Sequence, residues 1–191
     1  MLAYELYELR VRIEMATRPI LGFVRGLYLS ARLIYALRDR LSQYSLEVDW
    51  GHLLDADKNY ISRECDIIIH KAGPTTKWNG KTNSVMNFKF IRSEDAVAVI
   101  SCKSLMNSIR SRDILYCSDL KPVVNNVLLF AECCRPNSVA SLKRKARDAG
   151  YAGFWHLYSY CKETSLMEIV PEDWNEFIVT LEGICEKGSR T

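Results

Sequence analysis

Two short apolar runs, Cys65-Asp66-Ile67-Ile68-Ile69-His70 and Ala96-Val97-Ala98-Val99-Ile100-Ser101-Cys102-Lys103, constrain this chain more than any other feature. Each is short and rich in β-branched residues, so each reads as a buried strand and not a helix segment. The stretch between them, Ala72 to Asn87, is dense in Gly, Pro, Thr, Asn and Lys, which is turn and loop chemistry. Antiparallel pairing across that loop sets the start of the first strand against the end of the second. Asp66 then neighbours Lys103, and because side chains alternate along a strand, Ser101 shares the face of Lys103.

A carboxylate beside a lysine and a small polar group at one sheet end is the minimum for Mg²⁺-assisted phosphodiester cleavage. The carboxylate holds the ion, and the lysine orients or deprotonates water. The pattern resembles that of the PD-(D/E)xK nuclease superfamily, with Asp66 as its first element and Ser101-Cys102-Lys103 as its second. Three stretches, Trp50 to Asp55, Tyr60 to Ile69 and Glu94 to Ser104, are similar to an uncharacterised bacterial nuclease-like group within that superfamily. The resemblance extends over roughly Gly26 to Tyr158. It implies a restriction-endonuclease-like α/β/α sandwich and an Mg²⁺-dependent DNA endonuclease of a prokaryotic or phage defence system. In that reading Asp66 is a metal ligand, Lys103 orients water and Ser101 is secondary.

The chain also departs from the superfamily pattern. A second metal carboxylate normally stands two residues before the lysine, where this chain has Ser101, and a neutral hydroxyl binds Mg²⁺ far more weakly. The helical stretch Leu29 to Leu33 offers no glutamate in its place. Asp113, ten residues past Lys103, and Glu47, on the first expected strand, are the candidates to supply that carboxylate, with Asp119 and Glu64 behind them. The rival reading is a catalytically inactive relative that keeps the fold to bind nucleic acid or a protein partner, and Ser101 is its best support. A homodimer is compatible with either.

Composition narrows the class without choosing between these. The chain has 191 residues, 48% of them hydrophobic, which suffices for one sizeable core. We expect a single nuclease-like domain: N-terminal helices over 1–44, a core over 45–160, and a C-terminal helix and tail over 161–191. A formal charge of +3 permits nucleic-acid binding without demanding it. The seven cysteines and three histidines are scattered, so no structural zinc spacing is present. The N-terminus carries charge too early for a secretory signal, which predicts a reducing cytoplasmic setting. The most hydrophobic window, Pro19 to Leu41, is interrupted by Arg25, Arg32, Arg38 and Arg40, so it reads as a core helix and not a membrane span.

The remaining elements follow from periodicity and breakers. Helices are expected over Tyr4 to Ala16, closed by Arg18-Pro19, and over Ile20 to Gln43. A strand over Leu46 to Leu54 bends at Gly51, and Asp55 to Asn59 is a turn that lacks the ligand ladder of an EF-hand. A helix follows Lys103 as far as Tyr116, then a strand over Val123 to Cys133. Ser138 supplies an N-cap for a helix over Val139 to Ala149, closed by Gly150. That helix carries Lys143, Arg144, Lys145 and Arg147, the sharpest positive cluster in the chain, read either as a solvated face or as a contact to DNA phosphates. In a further strand over Gly153 to Tyr160, the aromatics Phe154, Trp155, Tyr158 and Tyr160 fit core packing better than base stacking. A last helix starts at Pro171, whose ring and following acids suit a first turn, and runs to about Cys185. The order predicts an α/β fold with a central mixed sheet between helical layers.

Overall fold

The computed structural model describes residues 2–8, 22–72, 76–77, 88–161 and 166–189. The second half of the first expected helix, its break at Arg18-Pro19 and most of the Ala72 to Asn87 loop lie outside these residues. Helix α1 covers 2–8 and α2 covers Gly22–Leu41. The strands are β1 (Leu46–Leu54), β2 (Cys65–Lys71), β3 (Thr76–Lys77), β4 (Phe88–Arg92) and β5 (Ala96–Leu105), followed by α3 (Ser111–Leu120). Then come β6 (Val127–Cys134), α4 (Val139–Asp148), β7 (Phe154–Cys161), β8 (Leu166–Ile169) and α5 (Pro171–Gly188).

The eight strands among the described residues form one mixed sheet in the order β3-β4-β1-β2-β5-β6-β7-β8. The expected antiparallel pair forms: β2 lies against β5 with Ile67 opposite Ile100 and Ile68 opposite Val99. β6 runs parallel to β5, and β7 parallel to β6, as crossovers through α3 and α4 require.

Alternation along the strands sorts the core into two layers. On one face Leu46, Val48, Ile67, Ile69, Ile100 and Phe130 pack with Leu29, Leu33 and Leu37 of α2 and with Phe177 and Leu181 of α5. On the other, Ile68, Val99, Leu129 and Phe154 pack with Cys117 and Leu120 of α3 and Leu142 and Ala146 of α4. The result is an α/β sandwich with a central mixed sheet, as expected.

Three short strands were not anticipated. β4 has the alternating pattern Phe88-Lys89-Phe90-Ile91 but pairs parallel to β1, a long-range match that local sequence does not announce. It approaches so closely that a Cβ on Gly51 would lie 1.7 Å from the Lys89 carbonyl oxygen. The expected bend in β1 is a register shift between Asp49 and Gly51. Gly150 has φ +95° just past α4, the left-handed position expected of a helix-ending glycine, whereas Ser138 makes no side-chain cap bond. Phe154, Trp155 and Tyr158 are buried, which assigns them to the core and not to base stacking.

Candidate active site

The start of β2 and the end of β5 meet under the N-terminal half of α3. Continuing the β2/β5 register by one residue sets Asp66 across from Ser101, and the backbone N–H of Cys102 donates to Asp66 Oδ2 at 2.8 Å. Asp66 is half-buried, and burial pushes its carboxyl above the ordinary aspartate range although the Cys102 N–H and the Lys103 charge pull it down. A buried carboxylate with so little compensation attracts a cation.

Ser101 and Lys103 emerge on the same side of β5 as Val99, toward α3. The Ser101 side chain is 1% exposed, and its hydroxyl has no hydrogen-bond partner. Lys103 reaches over the surface, 30% exposed, with Nζ 3.5 Å from Oδ1 of Asp113. Asp113 is buried in the first turn of α3, where its Oδ2 accepts the Arg110 N–H at 2.9 Å and closes a capping box. That local bond fixes the carboxylate at the helix start and leaves the other oxygen toward Lys103. Asp66, Ser101, Lys103 and Asp113 therefore occupy one neighbourhood.

Glu47 does not join them. It stands opposite His70, four residues along β2 from Asp66, which at about 3.3 Å per residue is on the order of 13 Å away. Glu64 is exposed and accepts the Trp50 indole N–H at 2.7 Å, and Asp119 is exposed near the far end of α3.

Glu47 belongs to a second polar group. Glu47, Asp49 and His70 each offer a ligand atom within 4.8 Å of the others, so this set could hold a metal ion. His70 is fully buried, with Nδ1 2.9 Å from the Lys71 carbonyl oxygen and Nε2 3.0 Å from Asp49 Oδ2. The ammonium of Lys89, from β4, lies against both Glu47 and Asp49, and Arg38 of α2 donates to the other Asp49 oxygen. Burial alone would raise the Asp49 carboxyl, but the bonds from His70 and Lys89 and the charges of Lys89 and Arg38 outweigh it and hold it low. The Lys89 ammonium supplies the positive charge that a metal would bring, so we take this group as a closed charge network tying β1, β2, β4 and α2. Sequence reading missed Asp49, His70 and Lys89: each looks like an ordinary polar alternation in its strand, and only the pairing of β4 with β1 brings them together.

Of the basic cluster on α4, Lys143 is committed to Asp173 (2.6 Å) and lies 3.6 Å from Glu176. Arg144, Lys145 and Arg147 are exposed, on the helix that shares its sheet face with α3. Asp173 also anchors the buried His156, at 2.6 Å from Nδ1, while Nε2 faces Ser159 Oγ at 3.2 Å. No helix among the described residues is long and apolar enough to cross a membrane.

No family model matches the chain, and no curated protein does. The solved structures that share its fold include two forms of NucC. NucC of P. aeruginosa ATCC27853, in a cAAA-bound form, is 12% identical with a TM-score of 0.58, over 95% of this chain and 89% of that one. NucC of E. coli MS115-1, also cAAA-bound, is 11% identical with a TM-score of 0.59, over 95% and 88%.

Proposed function

We propose that the chain is an Mg²⁺-dependent DNA endonuclease of PD-(D/E)xK type in which Asp113 stands in for the carboxylate that Ser101 does not supply. The observation that carries the reading is the ion contact between Lys103 and Asp113, one residue past the N–H that holds Asp66. It gives two carboxylates and a lysine in one place, from the strand pair of the superfamily pattern and the helix that follows it. The fold shared with the two NucC structures is the fold that pattern implies, and their bacterial sources support a prokaryotic or phage setting. Cys65, Cys102, Cys117, Cys133, Cys134 and Cys185 are free, buried thiols, compatible with a reducing cytoplasm.

The donor set fits a hard divalent cation. Asp66 is short of positive charge, Ser101 has a buried hydroxyl without a partner, and every side-chain donor is oxygen. Asp66 and Asp113 would hold Mg²⁺, with Ser101 a weaker neutral contact. When bound, the ion would stabilise charge developing on the phosphoryl group and make water more acidic. Lys103, half-exposed above the site, would donate to a phosphoryl oxygen and orient the attacking water. In the hydrolysis a water oxygen bonds to phosphorus as a phosphodiester P–O bond breaks, and the leaving oxygen takes up a proton. Arg144, Lys145 and Arg147 would meet phosphates flanking the cut.

Ser101 favours a second reading, an inactive relative that binds nucleic acid or a protein partner. Purified protein should nick plasmid DNA with Mg²⁺ or Mn²⁺, and both Asp66→Ala and Asp113→Ala should abolish nicking. Wild-type protein that neither binds Mg²⁺ by calorimetry nor nicks with any divalent ion sinks the enzyme reading. In that case, Mg²⁺ binding gained by Ser101→Glu would identify a site that has lost its carboxylate.

A further inference from the structure

A second hydroxyl beside Asp66 lacks an oxygen or nitrogen partner. Tyr116 sits three residues after Asp113, on the same face of α3. Its phenol oxygen is buried, with no oxygen or nitrogen partner and only the sulfur of Cys65 beside it. Burial, first, and then the neighbouring Cys65 and Asp66 push the phenol well above its ordinary range, so it remains an O–H donor at any working pH. The Cys65 thiol that it meets already faces Ser62 Oγ and the Arg63 carbonyl, and sulfur accepts weakly, so that contact leaves the phenol poorly satisfied. Across the neighbourhood, Tyr151 donates to the Asp113 carbonyl at 2.7 Å, so the adjoining phenol has a full oxygen partner where Tyr116 has only a thiol.

Among the described residues only five buried side-chain polar atoms lack a partner, and two of them, Ser101 Oγ and Tyr116 OH, lie on the α3 side of the sheet beside Asp66. Leaving a buried hydroxyl unpaired is costly, and such groups in native proteins are commonly met by an ordered water or a ligand. We infer that Tyr116 is a positioning residue of this site, its hydroxyl holding an ordered water against the Asp66 carboxylate, with Ser101 as that water's third protein contact. The inference rests on the reading of Asp66 as the site's carboxylate. Asp66 Oδ2 is engaged by the Cys102 N–H, so the water would meet the remaining lone pairs and fix the rotation of the carboxylate.

Tyr116→Phe tests this, because it removes one oxygen and keeps the ring. A crystal structure of the wild type should show a water within hydrogen-bond reach of both the Tyr116 hydroxyl and Asp66, and the variant should lose it. Nicking by the variant should fall in kcat by about tenfold to a hundredfold, the usual effect of a supporting contact, with KM unchanged and Tm not raised. A dry wild-type site, or a variant that melts higher and nicks at the wild-type rate, overturns the inference. If wild type cuts no DNA, the proposed function fails by itself, and the water together with the Tm change still decides the role of Tyr116.

Discussion

Two aspartates on adjacent strands illustrate opposite solutions to burial. Asp49 is surrounded by His70, Lys89 and Arg38, so its carboxyl is held low. Its stabilising contribution is present above the ordinary aspartate range and is lost as pH falls through the depressed value. Asp66 is raised instead, chiefly by burial. An unfolded aspartate ionises near pH 3.9; below that both states are protonated and Asp66 imposes no cost. As pH rises through the folded value stability falls, and at neutral pH the full cost remains. We therefore expect Asp66→Asn, which can still accept the Cys102 N–H, to raise Tm at pH 7 and to leave it unchanged near pH 3. Mg²⁺ should raise the wild-type Tm at pH 7 and leave that of the variant where it is. A lower Tm for the variant at pH 7 would mean that the Asp66 charge is already compensated in the fold. Lys89→Met should act in the opposite direction: removing one partner from a buried charge network costs about 3–5 kcal/mol, which urea unfolding would register, and a loss under about 1 kcal/mol would show the network to be dispensable.

At the level of elements, what the sequence announced was local and what it hid was long-range. The β2 and β5 runs declare themselves by composition, and their pairing follows from the loop between them, so Asp66, Ser101 and Lys103 were legible together. Asp113 could be named but not placed, since its position depends on the turn from β5 into α3 and on the Arg110 capping bond. Tyr116 carried no signal beyond its spacing from Asp113. β4 was hidden because parallel pairing with β1 has no turn signature, and with it the Asp49, His70 and Lys89 group. Gly51 marks the place where that pairing matters. An alanine Cβ there would collide with the Lys89 carbonyl oxygen, a backbone atom that can yield only if β4 moves. Gly51→Ala should cost about 3 kcal/mol, the upper end for overpacking, and should speed amide exchange in β4 before β5 or β6. Equal protection of all three strands would show that the sheet absorbs the methyl group without parting.

Across the whole molecule, the candidate site and the basic helix share one face of the sheet, through α3 and α4, while α2 and α5 close the other. A duplex engaging Lys103 from that side would meet α4 next. The helix is not uniformly available, however: Lys143 holds Asp173, which in turn holds the buried His156, so that lysine ties α4 to β7 and α5. Burial pulls the Lys143 ammonium down, yet the bonds and charges of Asp173 and Glu176 raise it overall, as expected of a lysine committed to an internal pair. Phosphate contact should therefore reside in Arg144, Lys145 and Arg147. Their joint replacement by alanine should flatten the dependence of log affinity on log salt by up to about 3 units, close to one per phosphate released, while Tm stays near the wild-type value. Lys143→Ala should lower stability and leave the salt slope nearly unchanged. Binding isotherms on a short duplex between 50 and about 200 mM salt, the range over which such contacts weaken strongly, separate the two variants. A triple variant with the wild-type slope would return α4 to a solvated face and require DNA to approach the Asp66 site from another direction.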